Sequence, residues 1–251
     1  MCIELNYKTV HILNITNLKL FSMKLLIVFL FSIMSLSAGA QPKGIKCTYV
    51  STFIMHDGFL EIENEMARNM ILESIKKDKK VYSLSVYDGR YLFKKEPETI
   101  DAMPMAVDVK NIFMDFRDST CIRQSEYNGQ LYLSKEKIER NDWDIVSQSD
   151  TINGKPCSKA VLRDNPKIIA WFTTDVPFSY VPFGYNGLPG LVIRMKMPAY
   201  YIDLKEISEL EEVDLEIPTK GKNITEAELY KMEKVDFGKN LEKATSVKVY
   251  E

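Results

Sequence analysis

The stretch VYSLSVYDGRYLFKK, residues 81–95, decides the fold. Asp88-Gly89 stands between two runs rich in aromatic and β-branched residues. Asp-Gly suits a type I′ turn, because both central residues of that turn take positive φ. A two-residue turn there sets Val86 opposite Tyr91 and Leu84 opposite Phe93, all on one face. Turn chemistry and hydrophobic alternation therefore agree on a single register, and the segment reads as an antiparallel hairpin.

Working outward, the same signals recur. Asn128-Gly129 and Asn153-Gly154 mark two further hairpins. Ile112–Phe116 starts a strand, Trp143 and Ile145 open another, and Cys157–Arg163 returns from the second of those turns. Ile168–Thr173 is almost wholly apolar and reads as a strand buried on both faces. Leu191, Ile193, Met195 and Met197 alternate with Val192, Arg194 and Lys196, and Tyr200, Ile202 and Leu204 continue the pattern after Pro198. Upstream, Lys46–Met55 reads as a strand. Residues 96–108, with Pro97 and Pro104, read as a loop.

Glu61–Lys77 reads as a helix whose apolar face is Met66, Met70, Ile71 and Ile75. Thr225-Glu226-Ala227-Glu228 has the capping-box form and starts a short helix near Leu229 and Met232. The acid-rich run Glu206–Glu216 is expected to carry the sheet to its edge. The expected class is mainly β: a curved antiparallel sheet or half-barrel with one or two short helices, spanning 41–217. A short helix and tail follow at 218–251.

The first forty residues carry an address. Met23-Lys24 precedes the uncharged run Leu25–Ala40, which is strongly apolar up to Met34 and ends in Ser37-Ala38-Gly39-Ala40. A basic start, a short apolar core and an Ala38-x-Ala40 site make a secretory signal, with cleavage expected after Ala40. The apolar core is short of the roughly 20 residues a spanning helix needs. The chain is thus expected to be exported to the periplasm or beyond, touching the membrane only through the uncleaved signal. Residues 1–22 either precede a true start at Met23 or form a long basic region. Removing 1–40 takes away three lysines and one glutamate, moving the formal charge from -2 to -4. That balance argues against nucleic acid, which needs a basic field to neutralise phosphates. Export permits a disulfide, and Cys47, Cys121 and Cys157 allow at most one internal pair or three unpaired thiols.

No catalytic constellation, metal site or cofactor motif is expected. The exported part has one histidine, His56, followed by Asp57-Gly58 and better read as a turn than as a general base. HExxH, CxxC, G-x-S-x-G, P-loop and GxGxxG motifs do not occur. Carboxylates are plentiful, with Asp175 the best-placed candidate for a carboxylate-dependent hydrolase, but no pair stands out.

One segment is distinctive. Trp171-Phe172-Thr173, Asp175-Val176-Pro177 and Phe183-Gly184-Tyr185-Asn186 lead into Gly187-Leu188-Pro189-Gly190-Leu191-Val192. With Gly154 and Cys157-Ser158-Lys159-Ala160 upstream, this resembles the GLPGLI family of exported Bacteroidota proteins, with Val192 where the family motif has Ile. The resemblance implies a Bacteroidota origin and a periplasmic or outer-membrane-facing address, without a settled activity. Relatives encoded near outer-membrane receptors add a contextual hint of a receptor as partner.

Leu188-Pro189-Gly190-Leu191 suits a type II turn, with Pro fixing φ and Gly190 supplying positive φ. Gly184 and Gly187 permit further tight bends. Asp175 is expected to cap the turn before Pro177. The loop 174–190 is unusually apolar: Val176, Phe178, Tyr180, Phe183, Tyr185 and Leu188. Two readings follow. The loop plugs the mouth of the curved sheet, or it forms an apolar contact surface. Trp171, Asp175, Phe178, Tyr180, Phe183, Tyr185, Leu188 and Pro189 are the candidate ligand- or partner-binding residues. The functional expectation is a non-enzymatic module that binds or carries a hydrophobic ligand. The alternative is an interaction protein serving an outer-membrane receptor or export system.

Overall fold

The computed structural model describes residues 44–176, 178–210 and 215–232, without the side chains of 147–149. The expected export signal, Pro177, residues 211–214 and those beyond 232 lie outside that description. Twelve strands form one open sheet. They are β1 (Gly44–Phe53), β2 (Val81–Tyr87), β3 (Arg90–Lys95), β4 (Val107–Asp115), β5 (Thr120–Tyr127), β6 (Gln130–Lys137), β7 (Trp143–Ile152), β8 (Lys155–Leu162), β9 (Ile169–Thr173), β10 (Leu191–Lys196), β11 (Tyr200–Leu210) and β12 (Lys222–Asn223). Their order is β12-β6-β5-β4-β3-β2-β1-β11-β10-β9-β8-β7. The sheet is antiparallel except where the two residues of β12 pair parallel with β6.

Three two-residue turns set the hairpin registers. Asp88 and Gly89 have φ of 49° and 70°, Asn128 and Gly129 have 50° and 76°, and Asn153 and Gly154 have 51° and 76°. Val86 faces Tyr91 and Leu84 faces Phe93 in the β2–β3 ladder, and all four are buried. The acid-rich run does not reach an edge: β11 lies between β1 and β10 near the middle of the sheet. Pairing with β1 along its whole length places it there, and within the strand Lys205–Glu209 are exposed on both faces. In β9, Ala170 and Phe172 are buried while Trp171 on the other face is half-buried, so only one face is fully covered.

Chain length forces the sheet to curl. β6 is second in the order and β7 is twelfth. Ten interstrand spacings would separate them by about 48 Å in a flat sheet. Only residues 138–142 join them, and that connector reaches about 21 Å when extended. The two flanks must therefore bend toward each other. Bulges at Thr48/Tyr49, Val109/Asn111, Val146/Ser149 and Val192/Arg194 provide local bends. The concave face holds one continuous core, including Tyr49, Leu84, Tyr91, Phe93, Ile112, Phe172, Met195 and Ile202.

Helix α1 (Glu65–Lys77) begins at Asn64, whose side chain accepts from the Ala67 N–H at 2.9 Å. Its expected apolar face is not its packed face. Met66 and Met70 are 76% and 67% exposed, whereas Ile71 and Ile75 are half-buried. The four apolar residues span too wide an arc for one narrow contact, and the helix settles on the isoleucine side. A second helical segment starts at 226 with the full capping box: the Thr225 N–H donates to Glu228 Oε2 at 3.0 Å and the Glu228 N–H donates to Thr225 Oγ1 at 3.2 Å. Leu229 anchors this segment by burial.

Candidate functional site

The loop between β9 and β10 folds back over the concave face. Phe183 packs against the stacked pair Tyr82 and Phe93, with ring centroids 5.1 Å and 4.7 Å away. The Tyr91 hydroxyl donates to the Val181 carbonyl at 2.9 Å and accepts from the Gly184 N–H at 3.0 Å. Burial raises the Tyr91 pKa well above the ordinary phenol range, so this hydroxyl stays protonated. Phe183 itself has φ of 62°, an uncommon conformation for a bulky residue, held by the packing of its ring.

Asn186 fastens the loop to the β6–β7 connector. The Asn186 N–H donates to Asn141 Oδ1 at 2.9 Å, and the Asn141 N–H donates back to Asn186 Oδ1 at 3.3 Å. Asn186 Nδ2 donates to the Glu139 carbonyl at 2.8 Å, and Trp143 Nε1 donates to the Asn186 carbonyl at 2.8 Å. The next residue must be glycine for two reasons. Gly187 has φ of 91°, and a Cβ there would sit 2.5 Å from the Asn141 carbonyl oxygen. The loop thus stitches the connector, and with it both flanks of the sheet, to the core. Asn141, Trp143 and Asn186 did not stand out as site residues in the sequence, because each side chain finds its partner only when 139–143 and 186 meet.

The Pro189-Gly190 step needs a correction. Gly190 is not in the positive-φ region, so 188–191 is not a type II turn. Glycine is required there by proximity instead: a Cβ would lie 2.1 Å from the Thr173 carbonyl oxygen of β9. Close approach of two backbones, and not turn geometry, selects the residue.

The candidate residues divide. Phe183 and Leu188 are buried, and Gly184 and Tyr185 sit beside them over the concave face. Tyr180 packs edge-on against Phe116 at 5.5 Å, and Phe178 is half-buried against the core. Asp175, Gly187 and Pro189 face outward. The Asp175 N–H donates to Thr173 Oγ1 at 3.3 Å, so the threonine side chain shapes this turn. Trp171 is engaged elsewhere, donating from Nε1 to Asp150 Oδ2 at 2.6 Å across β8. Cys47, Cys121 and Cys157 are all free, so of the two readings the unpaired one holds in this structure.

Beneath Phe183, Gly184 and Tyr185 remains a cavity of about 470 Å³. Tyr82, Val109, Met114, Cys121, Ile138 and Met197 supply its apolar lining. Arg123 and Glu226 cross its wall as an ion pair, Nε to Oε1 at 2.5 Å, and Glu136 accepts from the Glu226 N–H at 2.9 Å. Burial pushes the Cys121 thiol up to about 11. At the Asp108 end lies an alternating ladder of charges. Lys110 and Lys95 hold Asp108 at 2.6 Å and 2.8 Å, and Asp101 joins Lys95 to Lys80. Lys80 is fully buried and donates to Asp78 at 2.7 Å, to the Tyr200 hydroxyl at 2.8 Å and to the Met103 carbonyl at 2.9 Å. Burial alone would lower the Lys80 pKa, but its hydrogen bonds to Asp78, Tyr200 and Asp101 prevail and raise it. The ladder pins the β3–β4 loop, which brings Met105 to the cavity rim.

His56 Nε2 lies 3.3 Å from the Pro198 carbonyl oxygen, and of the carboxylates that line the cavity Asp108, Glu136 and Glu226 are engaged in the bonds just described while Glu139 is exposed. No group of three or more His, Cys, Asp or Glu among the described residues could hold a metal ion.

Residues 119–194, from just before β5 into β10, match a family model described as "Protein of unknown function (Porph_ging)". No curated protein matches. Among solved structures, "Structure of PNGF-II in C2 space group" is similar at 14% identity with a TM-score of 0.49, over 76% of this chain and 32% of that chain. The present chain spans about a third of that protein's length. The matched segment contains the whole roof loop, so over its most distinctive stretch the chain is similar to a family whose function is not known.

Proposed function

We propose that the chain is an exported, non-enzymatic binding module whose ligand sits in the cavity between the roof loop and the concave sheet. The observation that carries this reading is that cavity. Its volume of about 470 Å³ falls in the range of small-molecule sites, about 300–1,000 Å³. Its lining mixes apolar side chains with the charged Asp108, Arg123, Glu136, Lys137, Glu139 and Glu226, so a ligand there would meet both kinds of surface. The loop fills the upper concave face with Phe183, Val181 and Leu188, and a space remains unfilled alongside Phe183, Gly184 and Tyr185. The signal pattern at 23–40 supports export.

Native mass spectrometry of residues 41–251 purified from the periplasm, followed by organic extraction, tests the proposal. A co-purifying small mass is expected, and Cys121→Phe, which fills the floor, should lose it. A clean apo mass that stays clean after incubation with periplasmic extract argues against the reading. N-terminal sequencing of the same sample should begin at Gln41; a chain starting at Met1 or Met23 in the cytoplasm would refute export.

A further inference from the structure

One edge of the sheet is closed by the chain itself and the other is left open. At the β6 edge, Lys222 and Asn223 of β12 pair with Tyr132 and Leu133, and the Ile224 N–H donates to the Leu133 carbonyl at 3.1 Å. At the opposite edge, β7 is bonded to β8 alone among the described residues. Its stretch Trp143–Val146 carries neither lysine nor proline, the usual devices that blunt an edge. Ile145 and Val146 point to opposite faces of the sheet and are 57% and 37% exposed.

The ladder to β8 decides which backbone groups are open. The Arg163 N–H donates to the Asp142 carbonyl at 2.9 Å. Antiparallel pairs alternate in their bonding, so Asp144 and Val146 direct their backbone bonds to Val161 and Lys159. The N–H and C=O of Trp143 and Ile145 therefore face away from β8, toward the open edge.

We infer that this edge pairs with a second copy of the chain, β7 against β7, antiparallel about a two-fold axis at Ile145. Charge selects the register. An axis at Trp143 sets Asp142 opposite Asp144 of the other copy, and an axis at Asp144 sets that aspartate opposite itself. Like charges directly opposite are destabilising. An axis beyond Ile145 runs the ladder into the β7 bulge between Val146 and Ser149, where pairing is interrupted. With the axis at Ile145, the two copies of Ile145 exchange backbone bonds and lay their side chains together on one face. Each Asp144 then stands opposite Val146 on the other face. Asp144 is already held by Arg163 at 2.8 Å, so no unpaired charge enters the contact. Residues 143–147 make a short ladder beside the roughly 1,200–2,000 Å² of stable interfaces, so the dimer is reversible. It does not depend on what the cavity holds.

Sedimentation velocity of residues 41–251 from about 5 µM to about 1 mM, the span of weak association, tests this. A monomer–dimer equilibrium is expected. Ile145→Lys, at an exposed position, sets two lysines together on the axis and should leave only monomer. Amide exchange should slow at Trp143 and Ile145 as concentration rises and stay unchanged at Asp144 and Val146, whose bonds to β8 exist in the monomer. Asp144→Cys and Val146→Cys proteins, mixed and oxidised with diamide, should form a disulfide between the two variants. A facing pair that exchanges no backbone bonds lies about 4.5 Å apart at Cα, within disulfide reach. Neither variant alone should crosslink through its new thiol. A monomer at every concentration overturns the proposal, and so does a dimer that Ile145→Lys leaves intact or a disulfide formed equally by either variant alone. The wild-type exchange pattern decides the matter should a variant fail to fold.

Discussion

Truncating Phe183 separates the two energies stored at that position. The ring is 9% exposed and lies against Tyr82 and Phe93. Phe183→Ala removes it, and loss of a buried phenyl costs about 3–5 kcal/mol. The backbone, at φ of 62°, stays strained in the alanine variant, because any Cβ in the left-handed region costs about 1–2 kcal/mol. Phe183→Gly loses the same ring but relieves that strain, while adding about 0.5–1 kcal/mol of unfolded-state entropy. The glycine variant should therefore match the alanine variant or exceed it by up to about 1.5 kcal/mol, the reverse of the usual ranking. Urea unfolding of the three proteins, with m-values compared, measures both differences. Losses below about 1 kcal/mol in both variants with unchanged m would show that the ring does not hold the loop on the sheet. A clearly less stable glycine variant would refute the strain.

Four further outcomes follow from the same geometry. Asn186→Ala removes two hydrogen bonds and leaves the Glu139 carbonyl and Asn141 N–H without their partner; a loss of about 2–4 kcal/mol in urea unfolding is expected, and an unchanged midpoint would mean the clasp is not holding the flanks together. Gly190→Ala drives a methyl into the Thr173 carbonyl and should destabilise by about 3 kcal/mol or prevent folding; a protein of wild-type melting temperature would refute the close approach. Lys80→Ala leaves Asp78 buried beside a lost partner, and a loss of about 3–5 kcal/mol is expected; near-neutrality would show that solvent reaches the ladder. Arg117 holds the Asp115 carboxyl down at about 2 by its hydrogen bonds. Asp115 is lowered on folding, so its contribution is complete above the ordinary carboxylate pKa near 4 and is lost as pH falls toward 2. Carboxyl NMR titration should show this, and Arg117→Ala should return the value toward the ordinary range; an unmoved titration in the variant would assign the shift elsewhere.

Features confined to a few neighbouring residues were legible in the sequence. Asp88-Gly89, Asn128-Gly129 and Asn153-Gly154 specify their turns because positive φ at two successive positions is a local steric matter, and alternation then sets the register of each hairpin. The capping box at Thr225 closes within four residues and is equally local. The apolar character of 176–188 was visible, but which side chains face inward was not. Phe183 and Leu188 turn in while Pro189 turns out, according to where the facing strands leave room.

Long-range choices belong to the tertiary structure. β1 and β11 are about 150 residues apart in the chain, and no local pattern announces that they pair and place the acid-rich strand in the middle of the sheet. The roles of Asn186 and Asn141 exist only because a five-residue connector forces two distant flanks together. Gly190 looks like a turn residue by its neighbours and is one of close approach by its surroundings. By itself the sequence determined the β class, the hairpins and the position of the distinctive loop, since dihedral preference and side-chain alternation act over a few residues. The curl, the clasp and the cavity beside the β9–β10 loop were decided by the closure of the whole chain around its core, where packing between residues remote in sequence outweighs any local preference.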